Sequence, residues 1–204
     1  MNEKYYEELL NIDTCKEQEG FNDSIHYNRY EATPYSALKE LFSVYAVHTT
    51  DNIVDYGCGK GRLLFYINYF FKATVTGIEM DINFYNDSLE YKKLYLQKYN
   101  YIDDKITFLN CYAEKYKISK YNDKFYFFNP FSIQIFMKII DNIYDSLEEN
   151  ERTVDLILYY PSEDFIYYLD NCTNFTLYKE VKLKDLYYKD NRERFLIYRL
   201  ELFK

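Results

Sequence analysis

Three of the chain's five glycines fall within five positions, Gly57, Gly59 and Gly61, in the stretch NIVDYGCGKGRLLFYI from Asn52 to Ile67. A chain this sparing with glycine concentrates it where the backbone must take positive φ or approach another group closely. NIVDY reads as a short buried strand, and GRLLFYINYFF has the length and spacing of a helix. A strand, a glycine turn and a helix in that order bring backbone N–H groups and a helix N-terminus to anything that binds there.

The rest of the chain repeats the alternation. Strands are expected at ATVTGIEM, ITFLNCY, KFYFFNPF and TVDLILYYP, with Pro130 and Pro161 stopping the last two. Helices are expected at NFYNDSLEYKKLYLQKYN, at SIQIFMKIIDNIYDSLEEN, and over a shorter stretch at SEDFIYYLDN. The second of these carries Ile133, Phe136, Met137, Ile140 and Ile143 as its apolar face. Upstream, TPYSALKELFSVYAVH reads as a helix with Thr33 as its cap and Pro34 in its first turn. A short helix from Lys4 to Leu10 precedes irregular polar sequence. Two final strands, near 175–183 and 195–203, have no helix between them and should pair as an antiparallel hairpin at the sheet edge. The fold class is α/β: a seven-stranded, mostly parallel sheet with helices on both faces and a C-terminal antiparallel hairpin. An N-terminal helix and lid-like segment, 1–32, precedes the main domain, 33–204.

Composition narrows the function classes. The net charge of −8 disfavours broad phosphate-driven nucleic-acid binding without excluding a local basic groove. It suits small neutral or basic partners better. No apolar run approaches the ~20 residues of a membrane span, so no membrane partner is expected. The first residues are acidic and polar, unlike a secretion signal, and the four cysteines stand far apart, so a cytoplasmic protein without a metal site is expected. The 27 tyrosines and 16 phenylalanines read as a compositional bias rather than an aromatic binding surface.

Spacing separates the nucleotide loops. The phosphate-cradling GxxxxGK[ST] pattern is absent, and in GxGxxG the sixth position would be glycine where this chain has Arg62. Glu79, in GIEM at the end of the next strand, lies 24 positions after Asp55 with Gly77 before it. An acid there can accept both hydroxyl hydrogens of a ribose.

With these residues the chain resembles the class I, seven-stranded S-adenosylmethionine (SAM) dependent methyltransferases. The likeness rests on DYGCGKG at 55–61, GIE at 77–79 and NPF at 129–131. It implies SAM as cofactor and S-adenosyl-L-homocysteine as product. The glycine loop, with Asp55, Tyr56, Gly57, Cys58, Gly59 and Gly61, would hold the methionine part and ribose. Asp55 would orient the loop or meet the amino group, while Glu79 and Met80 would meet the ribose. The adenine slot after the third strand aligns with Tyr112, Ala113 and Glu114, where the family commonly has an acid or amide, so a backbone carbonyl or Glu114 could serve instead. Tyr27, Tyr30, Thr33 and Tyr35 could form a lid, Tyr30 and Thr33 touching the cofactor, or could cap a helix and fill the core.

FFNPFS resembles the [DNS]PP[YF] motif of amino-group methyltransferases. There Asn129 and the Pro130 carbonyl would accept from a target amino group, Asn129 also bordering the cofactor, and Phe131 would stack on the acceptor. The second proline of the motif is missing, and Asn-Pro also simply ends a strand. Neither His26 nor His48 is a convincing base. The reading is methyl transfer to a nitrogen on a small molecule or protein side chain. A silent SAM-binding module and a nicotinamide-dependent oxidoreductase are the alternatives.

Overall fold

The computed structural model describes residues 3–15, 31–100 and 105–201. Seven strands form one sheet: β1 (Asn52–Tyr56), β2 (Thr74–Glu79), β3 (Ile106–Asn110), β4 (Lys124–Phe127), β5 (Val154–Tyr159), β6 (Thr176–Lys182) and β7 (Arg194–Leu200). Their spatial order is β3-β2-β1-β4-β5-β7-β6. The first five run parallel, and β7 inserts antiparallel between β5 and β6. The final hairpin thus lies at the sheet edge as expected, with β6 outermost.

Among the described residues six α-helices cover the faces: α1 (Glu3–Leu10), α2 (Tyr35–Val44), α3 (Arg62–Phe71), α4 (Ile82–Lys98), α5 (Ile133–Glu149) and α6 (Glu163–Cys172). Side chains alternate across the pleat, so Ile53 faces one core and Val54 and Tyr56 the other. The first core gathers Leu38, Leu41, Leu64, Phe65, Tyr95 and Tyr126, with Tyr6 and Leu10 of α1 among them. The second gathers Phe125, Phe127, Phe136, Ile139, Ile143 and Leu156. In α3, every residue from Arg62 to Asn68 is buried. Enclosure of the first two turns of α3 explains why that part of the helix is apolar almost all round.

Two expectations are corrected. Met137 is 41% exposed, and the buried stripe of α5 is Ile135, Phe136, Ile139, Ile140 and Ile143. Thr33 does not cap α2; Pro34 stands at the cap, and the Thr33 hydroxyl instead bonds the Tyr126 hydroxyl at 2.8 Å. That hydroxyl is buried and needs a partner more than the α2 terminus needs a cap.

Arg62 anchors the N-terminal segment. Its guanidinium donates to Thr14 Oγ1 at 2.7 Å, Glu3 Oε2 at 2.7 Å and the Thr33 carbonyl at 3.2 Å, and it lies 3.4 Å from Glu7 Oε1. It also covers the Tyr35 ring at 4.5 Å, while the Tyr35 hydroxyl donates to Glu7 at 2.6 Å. A buried guanidinium this fully satisfied ties α1 and the entry to α2 onto the start of α3.

Gly61 starts α3 with φ 85°, and a Cβ there would stand 2.6 Å from Phe108 Cζ on β3. Gly61→Ala therefore combines left-handed strain with overpacking. It is expected to lower stability by about 2–5 kcal/mol, read as the drop in the urea midpoint at unchanged m-value. A loss under about 0.5 kcal/mol would show that α3 can shift away from β3.

Candidate active site

The strand order reverses between β1 and β4, and in open α/β sheets ligands bind beyond the carboxyl ends of the strands at that point. Strands β1 and β2 bring Asp55, the glycine loop and Glu79 to this edge. Strand β4 brings Asn129 and Pro130. Because β6 runs parallel to β5, the β6–β7 connection also reaches the same edge.

The loop is held shut by its own hydrogen bonds. Gly57 N–H and Cys58 N–H both donate to the Ile78 carbonyl, at 2.9 and 3.1 Å, and Gly61 N–H donates to the Cys58 carbonyl at 2.9 Å. Gly59 N–H donates to Glu79 Oε2 at 2.8 Å, and Asp81 N–H to Glu79 Oε1 at 2.8 Å. Gly57, Gly59 and Gly61 all have positive φ. A Cβ on Gly57 would stand 2.7 Å from Pro130 Cβ, and one on Gly77 2.6 Å from Cys58 Sγ. Gly57 and Gly77 thus let the loop press against the β4 end on one side and β2 on the other.

Asp55 is 5% exposed, and no hydrogen-bond partner holds its carboxylate among the described residues. Burial raises its carboxyl well above the usual range, and the nearby Glu79 charge adds to the rise. Burial also raises Glu79, against the N–H groups of Asp81 and Gly59 that favour its ionised form. A buried carboxylate without a partner is costly.

The other sequence-selected residues divide. Tyr56 and Phe131 are turned into the second core, Tyr56 stacked on Phe127 at 5.2 Å and Phe131 2% exposed near Phe127 and Phe165. Ala113 is buried there too, in a 3-10 turn at Ala113–Lys115. Tyr112 is 55% exposed at the mouth of the edge, and the Glu114 carbonyl accepts from Asn142 Nδ2 at 3.0 Å. Cys58 is buried in the first core, with its thiol raised by burial. The Met80 carbonyl accepts from Asn110 Nδ2 at 3.0 Å. Asn129 and Pro130 are half-buried at the edge, Asn129 with φ 40°. Tyr35 lies in the first core. Tyr30, Tyr27 and His26 lie outside the described residues. His48 is exposed near the start of β1, at the opposite end of the sheet.

Sequence reasoning missed three contributors. Asn110 closes β3 in register with Glu79 and also donates to the Glu79 carbonyl at 2.9 Å. Arg62, read only as a departure from a fingerprint, is the anchor of α1. Tyr160, just after β5, carries positive φ despite its bulk; its signal was Tyr160-Pro161 repeating the Asn129-Pro130 step. Among the described residues no group of three or more His, Cys, Asp or Glu could hold a metal ion, and no helix is long and apolar enough to cross a membrane.

No family model matches the sequence, and no curated protein matches it. Solved structures do. A proposed RNA methyltransferase from Pyrococcus horikoshii superposes with a TM-score of 0.60 at 16% identity, over 97% of this chain and 96% of that one. An RNA methyltransferase from Salinibacter ruber, in complex with S-adenosyl-L-homocysteine, gives 0.56 at 15% identity, over 83% and 92%. The geranyl diphosphate C-methyltransferase of Streptomyces coelicolor, in complex with Mg2+, geranyl diphosphate and S-adenosyl-L-homocysteine, gives 0.52 at 12%, over 82% and 78%. The chain has the fold of class I SAM-dependent methyltransferases.

An acid raised in the folded state holds its proton more tightly there than in the unfolded chain. It therefore favours folding below its unfolded pKa of about 4, and that advantage is lost as pH rises through the folded value. Asp55→Asn is expected to raise the thermal midpoint at pH 8 by about 2–8 °C, equivalent to ~1–2 kcal/mol for a chain of this size, with a smaller difference at pH 4. A lower midpoint at pH 8 in scanning calorimetry would mean that the carboxylate is paired and stabilising.

Proposed function

We propose that the protein is a SAM-dependent methyltransferase that acts on an amino nitrogen of a small molecule or a protein side chain. The observation that carries this reading is buried Asp55, which has no hydrogen-bond partner among the described residues, beside a glycine loop closed by Glu79. A cofactor with a free ammonium group and a ribose fits this pair. Asp55 would receive the ammonium, and the outward lone pairs of Glu79 would receive the ribose hydroxyls while its other lone pairs keep Gly59 and Asp81 in place. Gly57, having no Cβ, lets the loop lie directly against Pro130 beside this pair.

The same loop speaks against a dinucleotide. A pyrophosphate needs free N–H donors, and those of Gly57, Cys58, Gly59 and Gly61 are already committed within the protein. Arg62, at the position of the third fingerprint glycine, is committed to α1.

The bound cofactor would supply an electrophilic methyl group on a sulfonium. The chain's own part is positional. The acceptor nitrogen must lie in line behind the methyl carbon, and Asn129 with the Pro130 carbonyl provides acceptors for amino hydrogens at the β4 edge. A neutral amine needs little further acid–base help, consistent with a site where no histidine of the described residues stands. A second reading, a SAM-binding module without turnover, draws on Phe131, which is buried in the core instead of facing an acceptor.

Isothermal titration with SAM is expected to show binding, and Glu79→Ala to weaken it at least tenfold, about 1.4 kcal/mol, with circular dichroism unchanged. Absence of SAM binding by the folded wild type overturns the reading. Methyl-labelled SAM with fractionated cell extract then separates the alternatives. Label in amines or protein supports transfer to nitrogen, label in RNA alone moves the acceptor, and binding without label favours the silent module.

A further inference from the structure

Two adjacent strands end alike. β4 leads into Phe128-Asn129-Pro130 and β5 into Tyr159-Tyr160-Pro161. The residues before the prolines, Asn129 and Tyr160, have φ 40° and 50°. Asparagine tolerates this region, but a bulky aromatic residue rarely enters it, and a residue before proline is ordinarily extended. The β4–β5 register pairs Phe127 with Leu158, and just beyond it the rings of Phe128 and Tyr160 meet edge to face, 6.4 Å between centres.

Tyr160 is held there from three directions. Its N–H donates to the Arg194 carbonyl at 3.1 Å, its hydroxyl donates to Asp190 Oδ2 at 2.6 Å, and the Arg192 guanidinium lies 4.4 Å from its ring centre. Tyr159 is 2% exposed and donates to Glu193 Oε2 at 2.7 Å; its ring lies 4.5 Å from that of Phe128. Burial raises the Tyr159 hydroxyl most, followed by the bond and charge of Glu193 and then by the charge of Glu31. The Glu31 charge reaches the Tyr159 hydroxyl from the segment before α2.

Charge decides what this corner accepts. Asp190 neutralises Arg192 through two bonds, at 3.0 and 2.8 Å, and Glu180 pairs with Arg194 at 2.7 Å. Glu193 and Glu31 have no cationic partner among the described residues. Phe128 and Tyr160 are half-buried, with their rings edge to face. Aromatic rings beside uncompensated carboxylates attract an organic cation and repel the phosphates that accompany a nucleobase.

We propose that this corner is the acceptor subsite and that it takes an alkylammonium group such as a lysine side chain, an inference that rests on the methyl-transfer reading above. Phe128 and Tyr160 form its walls and Glu193 its counter-charge, so that these residues set acceptor specificity. The group binds as the ammonium and reacts as the amine. Its proton passes to water, the nitrogen lone pair then attacks the methyl carbon, and the carbon–sulfur electron pair returns to sulfur, leaving a neutral thioether.

The test is isothermal titration with Nα-acetyl-lysinamide, with and without S-adenosyl-L-homocysteine, against its Nε-acetylated analogue and against AMP. The free amine is expected to bind at least tenfold more tightly than the uncharged analogue. Glu193→Gln and Tyr160→Ala should each weaken it at least fivefold, with Tyr160→Phe near wild type and the affinity for S-adenosyl-L-homocysteine within twofold throughout. Equal binding of both lysine analogues, preference for AMP, or Glu193→Gln and Tyr160→Ala that bind like wild type would overturn the proposal. Failure of S-adenosyl-L-homocysteine to bind, with the amine still discriminated, would instead overturn the cofactor reading alone.

Discussion

The carboxylate of Glu79 accepts from the N–H groups of Gly59 and Asp81, and through these two bonds the end of β2 holds both the glycine loop and the start of α4. Everything at the switch point depends on that junction. With the loop drawn toward β2, Gly57 meets Pro130, Gly61 meets Phe108 and Gly77 makes room for Cys58. Any side chain at these contacts would drive strands apart that the sheet register needs side by side. The same junction buries Asp55 beside a second carboxylate, and burial first, then the Glu79 charge, raises the Asp55 carboxyl above its usual range.

A second constraint comes from Arg62. Glycine at this position would leave a smooth helix start. Arginine instead gathers Glu3, Glu7, Thr14, Tyr35 and the Thr33 carbonyl around one buried charge. Thr33 in turn bonds Tyr126 on β4, whose hydroxyl is raised chiefly by burial and also by the Asp55 charge. The N-terminal helix is thereby linked through a short run of polar contacts to the floor of the site. The residue that breaks the dinucleotide fingerprint also builds the wall that takes its place.

Much of this was legible in the sequence because it follows from local rules. Alternating strands and helices, the glycine cluster, Glu79 one strand later and a helix-free final pair of strands lead to the sheet that is seen. What stayed hidden depends on pairing across the fold. Nothing local says that Thr33 would leave its helix cap for Tyr126, or that Phe131 would turn inward toward Phe127 and Phe165. Met137 sits at a helical spacing that looks apolar, yet the buried stripe of α5 is turned toward Ile135 and Ile139 instead. The strain at Tyr160 was partly visible, since residues before proline are restricted, but its sign emerges only beside Phe128 and the β6–β7 connection.

The central claim is that this edge is shaped for a sulfonium nucleoside and not for a dinucleotide. Amide hydrogen exchange followed by mass spectrometry tests it directly. Adding S-adenosyl-L-homocysteine should slow exchange in peptides spanning 56–61 and 79–81, whereas NAD⁺ should leave them unchanged. Slowing by NAD⁺ at the same peptides, or no slowing with S-adenosyl-L-homocysteine, would contradict the account.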